Sequence, residues 1–260
     1  MNAISKLVLL TFLLLVMACN KDQALPEDGK DKDPVGDKYK VEFIESFLLD
    51  VAEPSGLSWA LNHKDLIVVD DRTNSAYIID VKGKELAKLP YIGDDTEGVT
   101  VDNSKNQIWI AEEAESKLIQ LDAAGNTLHS YKIDINRGSK KKGLEGLAFN
   151  SSKNIFYILN EGEPGLLIKW QLNGGIISQK KLQFAQDYSG IFFDNADQSL
   201  WIVSDKSKKL FYCDLDANVK QSFDLDYQKA EGIVVDIANN RLYIVSDSEQ
   251  RLYTYKIEKL

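Results

Sequence analysis

The chain has 260 residues, 44% of them hydrophobic and 27% charged, with a formal net charge of -9 at pH 7. That acidity excludes nucleic acid as the main partner, because phosphate binding needs concentrated Lys and Arg, and it leaves cations or neutral ligands. Only Cys19 and Cys213 are present, so with Cys19 consumed as described next no intramolecular disulfide forms, and Cys213 in its apolar stretch reads as a buried small hydrophobe.

Residues 1–19 read as a targeting segment, in which Lys6 precedes the apolar run Leu7 to Ala18 and then Cys19. The run is shorter than the roughly 20 residues needed to span a bilayer and matches a signal-peptide core. The stretch Val16-Met17-Ala18-Cys19 resembles a lipobox, in which the cysteine is acylated and becomes the mature N-terminus. An ordinary signal peptide is the alternative. A lipid anchor places the protein in the cell envelope, and Asn20 after the cysteine implies the outer membrane by similarity to sorted lipoproteins. Residues 20–38 hold Asp, Glu, Lys, Pro and Gly with little to bury, which predicts a disordered tether.

Residues 39–260 form the folded part, and they repeat. Five dipeptides mark the period: Ser55-Gly56, Glu97-Gly98, Glu145-Gly146, Ser189-Gly190 and Glu231-Gly232, spaced 42 to 48 residues apart, as expected of propeller blades. Each opens a short apolar strand A, and in the last four repeats the strand ends in Asp102, Asn150, Asp194 or Asp236 before polar turn residues. Strand B follows eleven residues after every anchor, beginning at Leu66, Ile108, Phe156, Leu200 and Leu242, and is rich in β-branched and aromatic residues. Strand C is predicted at Ala76 to Asp80, Leu118 to Leu121, Leu166 to Leu172, Leu210 to Leu215 and Leu252 to Ile257. Strand D is less regular, at Leu86 to Leu89, Thr127 to Ile133, Ile177 to Phe184 and Val219 to Leu225. The fifth repeat lacks a strand D, while Val41 to Leu49 stands as a surplus strand before the first anchor. Pairing the two closes an all-β, five-bladed β-propeller and removes the edges that an open stack of hairpins would leave.

In that topology the residues starting strand A and those ending strand B share one face. The anchors Ser55, Glu97, Glu145, Ser189 and Glu231 then form an inner ring at the channel mouth. Sixteen residues after each anchor stands an acid: Asp71, Glu113, Glu161, Asp205 and Asp247, a second ring one step outward. Carboxylates brought this close raise one another's pKa unless a cation neutralises them, and an oxygen-only donor set suits Ca²⁺. Arg72, Lys206 and Arg251 are near the outer acids in sequence and offer them ion-pair partners, which would make that ring structural. The glycine after each anchor lets strands crowd the axis.

The anchors, above all Gly-Leu-Glu-Gly-Leu-Ala-Phe at 143–149 and Ala-Glu-Gly-Ile-Val-Val-Asp at 230–236, resemble the SdiA-regulated family, a group of five-bladed propellers distantly similar to NHL-repeat proteins. The resemblance covers residues 40–260. It implies a bound calcium ion, with Glu97, Glu145 and Glu231 as its ligands, and a target of transcriptional regulation instead of a DNA-binding regulator. Two function classes follow: a membrane-anchored module that binds a ligand or protein at its acidic mouth, or a calcium-dependent hydrolase of lactonase or phosphoesterase type. Against the enzyme, His63 is expected on the opposite face and His129 in an outer strand, and no nucleophile elbow, zinc-type His cluster, phosphate loop or dinucleotide fingerprint occurs.

Overall fold

The computed structural model describes residues 39–135 and 143–260. The expected signal peptide, Cys19 and the tether over 20–38 lie outside the described residues. Strand β1 (Tyr39–Leu48) comes first. Blade 1 follows as β2 (Pro54–Trp59), β3 (Leu66–Asp70), β4 (Ser75–Ile79) and β5 (Glu85–Ile92). Blade 2 holds β6 (Thr96–Asp102), β7 (Gln107–Glu112), β8 (Lys117–Leu121) and β9 (Thr127–Lys132). Blade 3 holds β10 (Leu144–Asn150), β11 (Ile155–Asn160), β12 (Leu166–Gln171) and β13 (Gly175–Lys181). Blade 4 holds β14 (Gly190–Asp194), β15 (Ser199–Ser204), β16 (Lys209–Cys213) and β17 (Val219–Asp224). Blade 5 ends the chain with β18 (Ala230–Asp236), β19 (Arg241–Ser246) and β20 (Arg251–Lys259).

The fourth strand of blade 5 is β1, antiparallel to β20 from Tyr39 opposite Lys259 to Leu48 opposite Arg251. The ring is therefore a five-bladed propeller closed by its N-terminal strand, as the sequence predicts. Tyr39 locks the closure from the side, because its ring packs edge-on against Trp201 and Tyr212 of blade 4 and its hydroxyl donates to Asp197.

Five buried clusters hold the molecule together, one in each seam between neighbouring blades. This arrangement explains the unbroken apolar runs of strand B. In β3, Leu66 and Val68 enter the core shared with blade 5, whereas Ile67 and Val69 enter the core shared with blade 2. A strand covered on both faces has no polar side, so its sequence does not alternate. The outer strands do face solvent, as in β9 and β17, and this weakens their sequence signal. Strand β5 runs past the predicted Leu89 to Ile92 and contains Pro90, a residue tolerated because an outer edge strand has unpaired N–H positions.

Hairpin turns follow the expected chemistry. The side chains of Asp102, Asn150, Asp194 and Asp236 accept hydrogen bonds from the backbone N–H of Ser104, Lys153, Ala196 and Asn239. Cys213 is fully buried in the seam between blades 3 and 4, and burial pushes its thiol up to about 12. It is a packing residue.

Candidate metal centre at the channel mouth

The anchor glycines set how closely the blades meet at the axis. A Cβ on Gly56, Gly98 or Gly190 would collide with the carbonyl oxygen of the next blade's anchor, Glu97, Glu145 or Glu231 respectively. On Gly146 it would come within 2.9 Å of the Ser189 carbonyl, and on Gly232 it would strike the Leu57 backbone, which closes the circle. Below the anchors, Leu57, Val99, Leu147, Ile191 and Ile233 narrow the channel to about 10 Å³ of free space. The mouth above is thus a blind cavity.

That cavity measures about 210 Å³, and all ten ring residues line it: Ser55, Glu97, Glu145, Ser189 and Glu231 with Asp71, Glu113, Glu161, Asp205 and Asp247. The backbone explains the convergence. The N–H of Asp71, Glu113, Glu161 and Asp247 each donates to the carbonyl two residues before its blade's anchor, at Glu53, Asp95, Gly143 and Lys229 respectively. In four of the five blades one backbone hydrogen bond therefore fixes the outer acid beside the inner anchor.

The same bond reveals a position that the sequence reading missed. Two residues before the anchors stand Glu53, Asp95, Gly143, Asp187 and Lys229, and Glu53, Asp187 and Lys229 line the cavity. The repeat register carried that signal. Asp95 has a special standing: among the described residues, the one group of three or more His, Cys, Asp or Glu side chains whose ligand atoms all lie within 4.8 Å of one another is Asp71, Asp95 and Glu97.

Charge is unevenly shared around the mouth. Lys229 lies 3.7 Å from Glu231 and 3.8 Å from Asp205, and its backbone N–H also donates to Asp205 at 2.6 Å. Burial pushes the Lys229 ammonium down, but Glu231 and Asp205 outweigh it and hold its pKa above the usual range. Lys206 lies 2.6 Å from Glu161 and 3.6 Å from Asp187. Of the three cations expected to serve the outer acids, Lys206 does so, at Glu161 of blade 3 and not at its neighbour Asp205, whereas Arg72 meets Glu53 at 3.7 Å and Arg251 donates to Ser46. The Lys206 side chain projects over the neighbouring blade, so adjacency in sequence does not predict its partner.

Around Asp71, Glu97, Glu113 and Glu145 the carboxyl groups are instead crowded together, and burial and mutual repulsion raise them. Removal from water, followed by the charges of Asp71 and Glu231, holds Glu97 well above the ordinary carboxylate range. Glu145 is raised in the same way, by burial and then by Glu97 and Glu231. Burial and Asp95 push Asp71 up to about 6 and Glu113 up to about 7. Glu231 reaches about 8 through burial, although Lys229 opposes the rise. Among the described residues no Lys or Arg pairs with Asp71, Asp95, Glu97 or Glu145. Oxygen-only donors, partly enclosed and uncompensated, fit a hard divalent cation. His63 lines a cavity at the opposite mouth and His129 is exposed on β9, so neither approaches this site.

Fold and site together define a five-bladed β-propeller with an acidic, closed-bottomed mouth. The chain belongs to the SdiA-regulated family, whose sequence profile matches residues 35–256. Among curated proteins none matches the chain. Among solved structures, the glutaminyl cyclase of Myxococcus xanthus is similar at a TM-score of 0.66 and 11% identity, over 85% of this chain and 97% of that one. A gluconolactonase from Xanthomonas campestris gives 0.58 and 13%, over 84% and 95%. A protein of unknown function from Bacteroides caccae gives 0.53 and 11%, over 74% and 69%. At these identities the likeness is one of fold.

Proposed function

We propose that the protein is a divalent-cation-binding propeller, anchored to the cell envelope through Cys19, that presents a metal at its mouth to a ligand or partner protein. Calcium is the proposed ion. The observation that carries this reading is that Asp71, Glu97 and Glu145 line one small cavity and, with Asp95, pair with no Lys or Arg among the described residues. Glu97 and Glu145 would hold the ion, with Glu231 across the cavity and Asp71 and Asp95 within reach of Glu97. The pairing of Glu231 with Lys229 makes it the weakest of the three inner ligands.

A second reading, a calcium-dependent hydrolase, draws support from Glu113 and Glu231, whose pKa values of about 7 and about 8 suit general acid-base work near neutrality. A bound divalent cation would supply polarisation of a carbonyl or phosphoryl oxygen. The lactonase activity stated for the Xanthomonas protein is consistent with such chemistry on this fold.

The test is thermal unfolding with and without calcium. A ligand at a hundredfold its Kd stabilises the folded state by about 2.7 kcal/mol, so calcium should raise the melting temperature. Changing Glu97, Glu145 and Glu231 together to Gln should abolish the rise, and stability in chelator should stay equal or increase. Asp205→Asn, at an acid engaged by Lys229, should keep most of the response. A triple variant with the wild-type calcium shift removes the inner glutamates from the site. Turnover of lactone or phosphate-ester panels that chelation abolishes selects the hydrolase, and calcium binding without turnover selects the binding module.

A further inference from the structure

The outer strands of blades 4 and 5 flank a cleft of about 330 Å³ whose lining shares no residue with the mouth. Its aromatic residues are Phe43 on β1, which is exposed, Phe223 on β17, which is half-buried, and Tyr253 and Tyr255 on β20 with Tyr227 on the connection between β17 and β18, which are largely buried at its base. Phe43 stands directly opposite Tyr255 in the closing ladder, with ring centroids 5.8 Å apart and nearly perpendicular. Tyr253 is 6.1 Å from Phe43 and stacks on Tyr227 at 3.8 Å with an interplanar angle of 5°. Val41, Asp224, Asp226 and Glu249 complete the lining, which among the described residues contains no Lys, Arg or His. Asp224 is paired with Lys209 at 2.5 Å. Glu249 accepts a hydrogen bond from the Tyr253 hydroxyl, and among the described residues neither it nor Asp226 has an ion-pair partner.

We infer that this cleft is a second binding site, one that takes a small organic ammonium ion. Ring faces carry negative potential and attract a cation within about 6 Å, most strongly where water is partly excluded. Carboxylates at the same cleft add to that field. A bare metal ion is a poor match, because it would exchange oxygen ligands for ring faces. An uncharged apolar ligand would cover the carboxylates without compensating them. An ammonium wrapped in methyl or methylene groups satisfies both wall and rim, and the volume suits a compact ligand. Phe43 is 57% exposed although apolar, displayed by the bulge in β1 between Phe43 and Glu45. Contact with the carbon skeleton of such a ligand accounts for it. Because β1 supplies Phe43, the cleft is complete only in the closed ring.

The experiment is calorimetric titration of the full chain with choline and with its neutral isostere, in which carbon replaces the nitrogen. Saturating calcium is present throughout, so that the mouth does not compete. Choline should bind and the isostere should not. Phe43→Ala and Glu249→Gln should each weaken choline roughly three- to thirtyfold, while Phe43→Trp restores or strengthens it. Phe43 is exposed, so its variants should melt like the wild type. Phosphatidylcholine vesicles separate the sources: binding to them as well extends the site to lipid headgroups, and binding of choline alone assigns a solute. Absence of choline binding, equal binding of choline and isostere, or affinity unchanged in both variants overturns the site. Loss of the calcium response at the mouth would leave this inference standing, since the two sites share no residue.

Discussion

At the scale of single residues, the mouth is a set of carboxylates that the fold forces together, and its pH behaviour follows. Burial and neighbouring charges push Asp71, Glu113 and Glu231 up to about 6, about 7 and about 8 in the folded state, above the ordinary 3.8 and 4.5 expected when unfolded. Below the ordinary values both states are protonated. As pH rises past about 4, the unfolded chain releases protons that the folded one retains, so the folded state loses stability up to about pH 8. In chelator the melting temperature should therefore fall between pH 5 and pH 8. With calcium bound, the ion takes the place of the protons and the slope should flatten or reverse, while calcium affinity should weaken on acidification because protons compete for the same oxygens. Melting scans across that range, with and without calcium, check both signs. A chelator curve rising toward pH 8 would place the protons elsewhere.

The same logic assigns opposite duties to the two mouth lysines and the central glutamates. Lys229 and Lys206 bridge acids from neighbouring blades and tie blades 3, 4 and 5 together at the rim. Among the described residues Glu97 and Glu145 have no such cation, and they are the groups the proposed metal would serve.

At the scale of the element, β1 is the strand on which closure depends. It pairs with β20 along its whole length, inserts Tyr39 between rings of blade 4 and, just beyond its end, sends Leu49 into the core between blades 5 and 1. Deleting residues 20–38 should leave the melting temperature nearly unchanged. Deleting residues 20–50 should expose the β20 edge and give aggregation or non-cooperative unfolding, because an unpaired edge invites intermolecular strands. Light scattering during a thermal scan distinguishes the two. Equal behaviour of both deletions would mean that closure by β1 contributes little to stability.

At the scale of the whole molecule, the proposed role depends on where the propeller is held. If Cys19 is acylated, multiple chains give stable attachment, since each buried CH₂ contributes roughly 0.8 kcal/mol. Cys19→Ser should move the protein from the membrane fraction to the soluble fraction without altering the proposed calcium response, which would reside in the propeller. Fractionation with metabolic lipid labelling tests it, and retention of the unlabelled variant in the membrane would remove the lipid anchor from the account.

The sequence by itself determined the blade count, the closing strand and the two acidic rings. It could do so because the repeat is rigid where it matters: strand B starts eleven residues after every anchor and the outer acid stands sixteen after it, so local spacing converts directly into position on a blade. Even the glycines at the axis were legible, since close strand approach has a single compatible residue. Only the tertiary structure decided which charges meet. Asp71 and Asp95 belong to different blades, as do Lys206 and Glu161 or Lys229 and Asp205, and the ring brings them together through space. Coulomb interactions and desolvation act across the cavity and are blind to chain order. The pairing of the lysines with acids of neighbouring blades and the crowding of Asp71, Asp95, Glu97 and Glu145 therefore exist only once five separately spaced blades share one axis.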